Sequence, residues 1–248
     1  MAPGETEFRI SHAIERGTRP LHIASTPGGK LFWGEYFDNS SRDEVHIYVS
    51  EDLGLTWEVA YTFAKGAIRH VHNVVYDQWS DSLWVLTGDD GPECRILRAS
   101  PDFRSVETVL SGNQQSRAVA LVPTKDAVYF SSDTPFERNF LYRMSRTGET
   151  TEVTSLSSSS IYGCQTDGSV FFTTMAEPSA LNATRSVSIV GSADGREWRW
   201  SREWEKDIWP MGLFQYGNVF LPDGHNSTNL LALTTVAVRG HDLNFRPR

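Results

Sequence analysis

Short apolar runs separated by polar turns extend along nearly the whole chain. The runs are rich in β-branched and aromatic residues, and no segment longer than about ten residues carries a convincing 3.6-residue period. This pattern predicts a protein built almost entirely of β-strands. The strands fall into four successive sets of four and a fifth set of three. The first strand of each set is predicted at Pro20–Ser25, His70–Tyr76, Arg117–Val122, Ile161–Gln165 and Gly212–Tyr216.

One turn sequence recurs along the chain with a spacing of about 45 to 50 residues. The segment Ser50–Trp57 reads S-x-D-x-G-x-T-W, and Ser192–Trp198 keeps the Ser, Asp, Gly and Trp with slightly altered spacing. Worn copies begin at Ser100 and Ser145, and Val238–Asp242 is a plausible fifth copy. The Asp and Ser side chains can hydrogen-bond the loop backbone, and the glycine supplies a positive φ. We expect the tryptophan that follows to bury between adjacent sheets. We therefore interpret this turn as a folding device with no part in catalysis.

Four strands in each repeat of about 47 residues are typical of a blade of a β-propeller. The sequence therefore predicts an all-β protein, with residues 1–248 forming a single five-bladed propeller of four-stranded blades. The predicted blades are residues 19–63, 69–110, 116–154, 161–204 and 211–245. The last blade lacks a clear outer strand. We expect residues 7–10 to close the ring as a spare strand, with residues 243–245 as the alternative, because closure removes an open sheet edge.

The repeated S-x-D-x-G-x-T-W turn resembles the Asp-box (BNR) repeats of sialidases and other sialidase-like propellers. Several further phrases resemble a bacterial branch of sialidase-like propellers whose activity is not established. These phrases are Trp33–Phe37, Arg69–His72, Thr87–Asp90, Ser132–Pro135 and Leu213–Gly217. The resemblance covers nearly the whole chain and implies the fold. It implies less about function, because the same turn occurs in glycosidases, lyases and non-catalytic propellers.

Sialidases clamp a carboxylate with three arginines and use a Tyr–Glu pair as nucleophile and an Asp as general acid. The resemblance therefore implies that this chain should carry equivalent residues. Here Arg19-Pro20 approximates the phrase that carries the first arginine, although it is one residue short, and Arg117 could supply the second. A third arginine is not evident, and those sialidases have six blades. The chain therefore departs from the sialidase pattern at the clamp and in its number of repeats.

Net charge, cysteine content and the first residues bear on which partners, which compartment and which cysteine chemistry the chain is expected to have. The net charge is −8 and no cluster of Lys or Arg is present, so a nucleic-acid partner is not expected. The first residues lack the pattern of a signal peptide, and no apolar stretch is long enough for a membrane helix; we therefore expect a cytoplasmic protein. Cys94 and Cys164 show no metal-ligand spacing and are expected as free thiols. No cofactor or metal is predicted, and the sequence leaves the oligomeric state open.

The candidate site follows from the predicted propeller, in which the first strand of each blade lines the central channel. His70 and His72 lie two residues apart on one such strand, so their side chains should share a face. Polar side chains at the starts of the other inner strands should meet them at one end of the channel. We expect the opening to be surrounded by Arg19, Glu35, Tyr36, His70, His72, Arg117, Glu177, Gln215 and Tyr216, with Asp89, Asp90 and Asp133 available to join.

Such a polar, partly cationic opening suits a sugar, especially an acidic one, because Arg binds a carboxylate in a bidentate manner and aromatic rings pack on sugar faces. We assign His70, His72, Tyr36 and Glu35 as candidate catalytic residues. The five remaining residues would bind substrate: Arg19, Arg117, Glu177, Gln215 and Tyr216.

Two classes of function remain open for this site. The first is a carbohydrate-active enzyme, either a hydrolase with carboxylates such as Glu35 and Glu177 or a uronate lyase with His or Tyr as proton carrier. The second is a propeller that binds a glycan or a protein without turnover. The two histidines could contact the ligand, belong to a structural network, or hold a metal, for which local sequence marks no third ligand.

Overall fold

The computed structural model describes residues 6–7, 10–17, 20–224 and 226–241. Within these residues the chain forms eighteen β-strands and two 3-10 turns, at Gly91–Glu93 and Gln114–Ser116. No helix among them is long and apolar enough to cross a membrane. The strands are β1 Ala24–Ser25, β2 Leu31–Gly34, β3 Val45–Ser50, β4 Glu58–Phe63, β5 His70–Asp77, β6 Ser82–Gly88, β7 Arg95–Ala99, β8 Val106–Ser111, β9 Ala118–Pro123, β10 Val128–Ser132, β11 Phe140–Met144, β12 Thr150–Ser155, β13 Tyr162–Thr166, β14 Ser169–Thr173, β15 Ser186–Ser192, β16 Arg199–Glu205, β17 Asn218–Phe220 and β18 Thr234–Val236.

The strands form successive antiparallel sheets, as the sequence predicts. Four sheets have four strands each and follow chain order, β1–β4, β5–β8, β9–β12 and β13–β16, and β17 pairs with β18 in a fifth. The first strands β1, β5, β9 and β13 stand at one edge of their sheets, and β5 contacts both β1 and β9. The all-β prediction is confirmed, and this architecture is consistent with a β-propeller.

Neighbouring sheets pack face to face, and the second, third and fourth sheets each contribute to two hydrophobic cores. Strand β6 shows this most clearly, because all seven of its residues are buried. Leu83 and Val85 pack into the core shared with the first sheet, whereas Trp84 and Leu86 pack into the core shared with the third. Since successive side chains of a strand point to opposite faces, a strand buried on both faces is apolar without interruption.

The fifth repeat differs from the sequence prediction. A strand over Gly212–Tyr216 is wrong, because Leu213 and Phe214 donate backbone hydrogen bonds to the Pro210 carbonyl and the chain turns there. The strand begins at Asn218 instead. Of the two alternative closing strands, residues 8–9 of the first and residues 243–245 of the second lie outside the described part of the chain.

The repeated turns connect the third and fourth strands of their sheets. In the first, the Ser50 hydroxyl donates to Asp52 Oδ1 at 2.8 Å and accepts from the Gly54 N–H at 2.7 Å. The Asp52 carboxylate also accepts from the Thr56 N–H and hydroxyl, at 2.8 and 2.6 Å. The turn at Ser192 repeats the serine–aspartate bond and the bond from the glycine N–H. Trp57, expected to bury between sheets, is only partly buried and donates to the Gly54 carbonyl.

A buried carboxylate joins the second and third sheets. Asp77 ends β5 with no exposed surface and accepts from the Trp79 N–H at 3.0 Å and from Trp84 Nε1 at 3.1 Å. Arg146, on the turn between β11 and β12, forms an ion pair with the same carboxylate. Asp77 therefore ties the outer turn of one sheet to the inner strand of its neighbour.

Candidate functional site

The paired histidines lie at the start of β5, where the strand carries a β-bulge. His70 pairs with Gly88 and Val71 with Thr87, but Asn73 pairs with Leu86, so His72 is the extra residue of the bulge. Bulges re-aim side chains and are common next to functional sites. As expected, the two imidazole rings meet, with their centroids 5.0 Å apart.

Each imidazole is fixed by a backbone carbonyl of a neighbouring sheet. His70 Nδ1 lies 3.1 Å from the Phe37 carbonyl, which follows β2, and His72 Nδ1 lies 2.9 Å from the Ala118 carbonyl on β9. A carbonyl oxygen can only accept, so both Nδ1 atoms carry the hydrogen. The two Nε2 atoms then face each other at 3.1 Å. Both side chains are almost fully buried.

Asp89 completes what we call the His–Asp cluster, formed by His70, His72 and Asp89. Its Oδ1 lies 3.2 Å from His72 Nε2 and its Oδ2 lies 3.3 Å from His70 Nε2. Burial alone would raise the pKa of Asp89, but the two facing histidine rings hold that pKa well below its usual range whenever they carry a proton at Nε2. Asp89 is therefore ionised at neutral pH.

Two arginines flank the cluster and carry spare hydrogen-bonding capacity. Arg117 lies 3.2 Å from Asp89 Oδ1, and Arg69 lies 3.5 Å from Asp89 Oδ2. Each also faces a second carboxylate, Asp133 at 3.7 Å for Arg117 and Asp38 at 2.7 Å for Arg69. Among the described residues, the buried Nε–H of each arginine has no acceptor. Each guanidinium group therefore has one N–H left to donate to a further anionic or polar acceptor.

Two groups beside the cluster have raised pKa values. The Tyr36 ring lies 4.2 Å from the His70 ring, and burial, reinforced by the charge of Asp89, raises the pKa of its hydroxyl. Burial and then the charge of Asp133 raise the pKa of Glu177, against the opposing effect of Arg117. A raised pKa favours the protonated Glu177 carboxyl, which suits a proton donor, whereas it makes the Tyr36 hydroxyl a weaker acid and its phenolate a stronger base.

Glu35 does not join this group. Its carboxylate is buried and accepts from Arg16, with Nε to Oε1 at 3.1 Å, and from the His46 N–H at 2.7 Å. Glu35 forms no ion pair with Arg117, because the Arg117 guanidinium faces Asp89 and Asp133. The reason is the strand period, since adjacent residues point to opposite faces and Tyr36 takes the face towards His70.

The remaining predicted residues lie at the surface or outside the described chain. Gln215 and Tyr216 are exposed, but the antiparallel bridge between Ala176 and Gly217 places Tyr216 opposite Glu177. Arg19 lies outside the described residues. Asp90 points away from the cluster and pairs with Arg42 at 3.0 Å.

Three supporting residues were not identified from the sequence as site residues. Arg69 belongs to the phrase Arg69–His72, which on its own gives this arginine no role in the site. Gln114 donates to the Asp89 carbonyl at 2.9 Å and accepts from the Thr134 hydroxyl at 2.8 Å, which links two loops of the site. Gly88 makes room for His72, because a Cβ there would lie 2.7 Å from His72 Cε1. The Gly-Asp-Asp sequence after a strand was the available signal.

A cavity of about 330 Å³ lies at the other ends of the same inner strands. Its walls include Asn73–Tyr76 of β5, Ala120–Pro123 of β9 and Gly163 of β13. At one side His22 Nδ1 contacts the Asp223 carboxylate at 2.9 Å. None of the predicted site residues lines this cavity. The His–Asp cluster and the cavity therefore lie at opposite ends of the inner strands.

Comparison with known proteins supports the fold. No family profile matches the chain. One curated relative, the vacuolar protein sorting/targeting protein 10 of Uncinocarpus reesii, is 28% identical in an alignment 138 residues long that covers 44% of this chain and 9% of that protein. The chain therefore spans a small part of this relative.

Solved structures with similar folds include two glycoside hydrolases. The GH74 xyloglucanase from Xanthomonas campestris superposes with a TM-score of 0.57 at 14% identity, over 88% of this chain and 35% of that one. The GH74 enzyme from Niastella koreensis gives 0.50 at 18% identity, over 75% and 29%. TolB from Acinetobacter baumannii gives 0.51 at 16% identity, over 92% and 56%. At these identities the likeness establishes the β-propeller fold alone.

Proposed function

We propose that this chain is a carbohydrate-active, sialidase-like propeller of five blades with Asp-box turns, which binds an acidic glycan beside the His–Asp cluster. The observation that carries the proposal is the pair of arginines, Arg69 and Arg117, whose buried Nε–H groups have no acceptor among the described residues. A sugar carboxylate supplies the acceptors that guanidinium groups bind best. GH74 glycoside hydrolases among the structural neighbours are in keeping with this class of ligand.

The groups around the arginines support proton transfer to such a glycan. In a β-elimination, Arg117 would neutralise the uronate carboxylate, and Tyr36 as its phenolate would take the α-proton and return it to the leaving oxygen as the bond from that oxygen to carbon breaks. In hydrolysis, Glu177 would be the general acid and Asp133 the second carboxylate, in place of Glu35. We favour elimination, because the Tyr36 ring lies 4.2 Å from the His70 ring, and the charges of Asp133 and Arg117 act on its hydroxyl.

The test is a glycan array followed by turnover assays on wild type and arginine variants. We expect binding to uronate- or sialate-bearing oligosaccharides, with Arg117→Ala weakening it by about 10- to 100-fold, the cost of about 1.5–3 kcal/mol for losing a charged hydrogen bond. Arg117→Lys should recover part of the loss, because Lys keeps the charge without the bidentate geometry. Absorbance of the unsaturated product reports elimination, and release of reducing ends reports hydrolysis.

Arg98→Ala is the matched control, since Arg98 lies on β7 of the second sheet and pairs with the exposed Glu107. The proposal fails if neutral glycans bind equally well, or if Arg117→Ala binds as tightly as the Arg98 variant.

A second candidate is a propeller that binds its partner without turnover. The similarity to a sorting/targeting protein favours it, although that match covers less than half of this chain. The same assays separate the two functions, because a binding propeller would retain the arginine-dependent affinity and give neither product.

A further inference from the structure

The centre of the His–Asp cluster contains hydrogen-bond acceptors but no N–H group left to donate to them. Both Nδ1–H groups are already donated to the Phe37 and Ala118 carbonyls. A neutral imidazole has one N–H, so each Nε2 then presents a lone pair. These two lone pairs and the Asp89 carboxylate converge within 3.1 to 3.3 Å of one another. Acceptors buried this closely require a cation between them.

Protons placed on the two Nε2 atoms would be a poor substitute for such a cation. One shared proton would bond one histidine to the other, but the accepting Nε2 would still lie within 3.3 Å of an Asp89 carboxylate oxygen with no hydrogen between them. Charging both rings would place two imidazolium groups, nearly buried and 3.1 Å apart at Nε2, beside Arg69 and Arg117. Like charges this close in a buried site are costly.

We propose that His70, His72 and Asp89 form a binding site for a divalent transition-metal ion, with Zn²⁺ as the ion that the donor set suits best. Ligand atoms about 2.0–2.2 Å from a zinc ion in tetrahedral geometry lie about 3.3–3.6 Å apart, a few tenths of an ångström more than the 3.1–3.3 Å separations in the cluster. Two imidazoles and one carboxylate leave a fourth position open to water or substrate.

The surroundings of the cluster match those of protein metal sites. Metal-binding histidines usually donate their other N–H to a carbonyl or carboxylate, as both rings do here. Asp89 is held from outside by Arg117 and Arg69, and each arginine has a second carboxylate partner, so the site does not carry a large excess of positive charge. Gly88 leaves the space that the His72 ring occupies.

The experiment measures metal uptake without any glycan. Protein dialysed against a chelator is titrated calorimetrically with ZnCl₂, and with CoCl₂ while the visible absorption of Co²⁺ is followed. We expect one Zn²⁺ per chain and the bands of a low-symmetry Co²⁺ site. Asp89→Asn and His72→Ala should each weaken Zn²⁺ binding by at least about 10- to 100-fold.

His46→Ala serves as the control, because His46 lies on β3, bonds to Thr62 and takes no part in the cluster. Circular dichroism checks that each variant is folded, and if His72→Ala is not, the nearly isosteric Asp89→Asn decides. The proposal is overturned if the wild type takes up no Zn²⁺, or if both cluster variants bind it as the His46 variant does. Neither outcome requires a glycan, so failure here leaves the proposed function to its own test.

Discussion

The carboxylate of Asp77 should be among the most important polar groups for stability. It is fully buried, accepts hydrogen bonds from Trp79 and Trp84, and pairs with Arg146 of the next sheet. Replacement by Ala removes all three contacts. Because Trp84 is 1% exposed, its indole N–H would stay buried without an acceptor, which costs about 1–3 kcal/mol.

The ion pair adds to this cost. Breaking a buried pair typically costs about 3–5 kcal/mol, but Arg146 is 26% exposed and can recover some hydration, so the pair should contribute less here. For Asp77→Ala we therefore expect a loss of about 3–5 kcal/mol in the free energy of unfolding. Asp77→Asn keeps the shape and an acceptor oxygen and should lose about 2 kcal/mol, the charged part of the interaction.

Urea denaturation followed by tryptophan fluorescence and by circular dichroism measures these changes, provided that the two transitions coincide. Glu107→Ala is the control, since it removes an exposed ion pair with Arg98 and should cost less than about 1 kcal/mol. A loss below about 1 kcal/mol for Asp77→Ala, or one equal to that of Glu107→Ala, would refute the role given to Asp77.

Two further predictions concern the repeated turn and the histidine bulge. Hydrogen bonds from the Thr56 hydroxyl and N–H and from Ser50 lower the pKa of Asp52 to about 2, below its value in an unfolded chain. The turn's contribution to stability should therefore be complete above about pH 4 and fade as the pH falls towards 2. The stability difference between wild type and Asp52→Asn should shrink over that range, and a constant difference would contradict this account. Gly88→Ala should cost about 1–3 kcal/mol in urea unfolding, because its Cβ would overlap the His72 ring; an unchanged midpoint would show that the ring moves freely.

Much of the fold could be predicted because its signals are local. Alternating or continuous apolar runs mark each strand of the first four sheets, and the serine and aspartate turns mark the connections between third and fourth strands. The fifth repeat lacks such signals. The run Leu213–Tyr216 is apolar enough for a strand, but Pro210 starts a turn, and the chain first pairs with the preceding repeat at the bridge from Gly217 to Ala176.

The candidate site was only partly predictable. The contact between His70 and His72 follows from their spacing, and the two-residue period could have shown that Glu35 and Tyr36 cannot share a face. By contrast, the choice between Asp89 and Asp90 depends on how the chain leaves β6. The ion pairs of Arg69 and Arg16 depend on loops from distant parts of the sequence. Such contacts are fixed by the assembled sheets and have no local signature.

The sharing of every core between two sheets has a consequence for how the molecule can change as a whole. Because β6 sends alternate side chains into two different cores, the second sheet is only half of each. A repeat removed from the chain would leave two unmatched surfaces, and an inserted copy would fit only between neighbours with complementary faces. The shape of an inner repeat therefore depends on the two repeats beside it. Such a repeat can be lost or gained only if both of its interfaces are rebuilt.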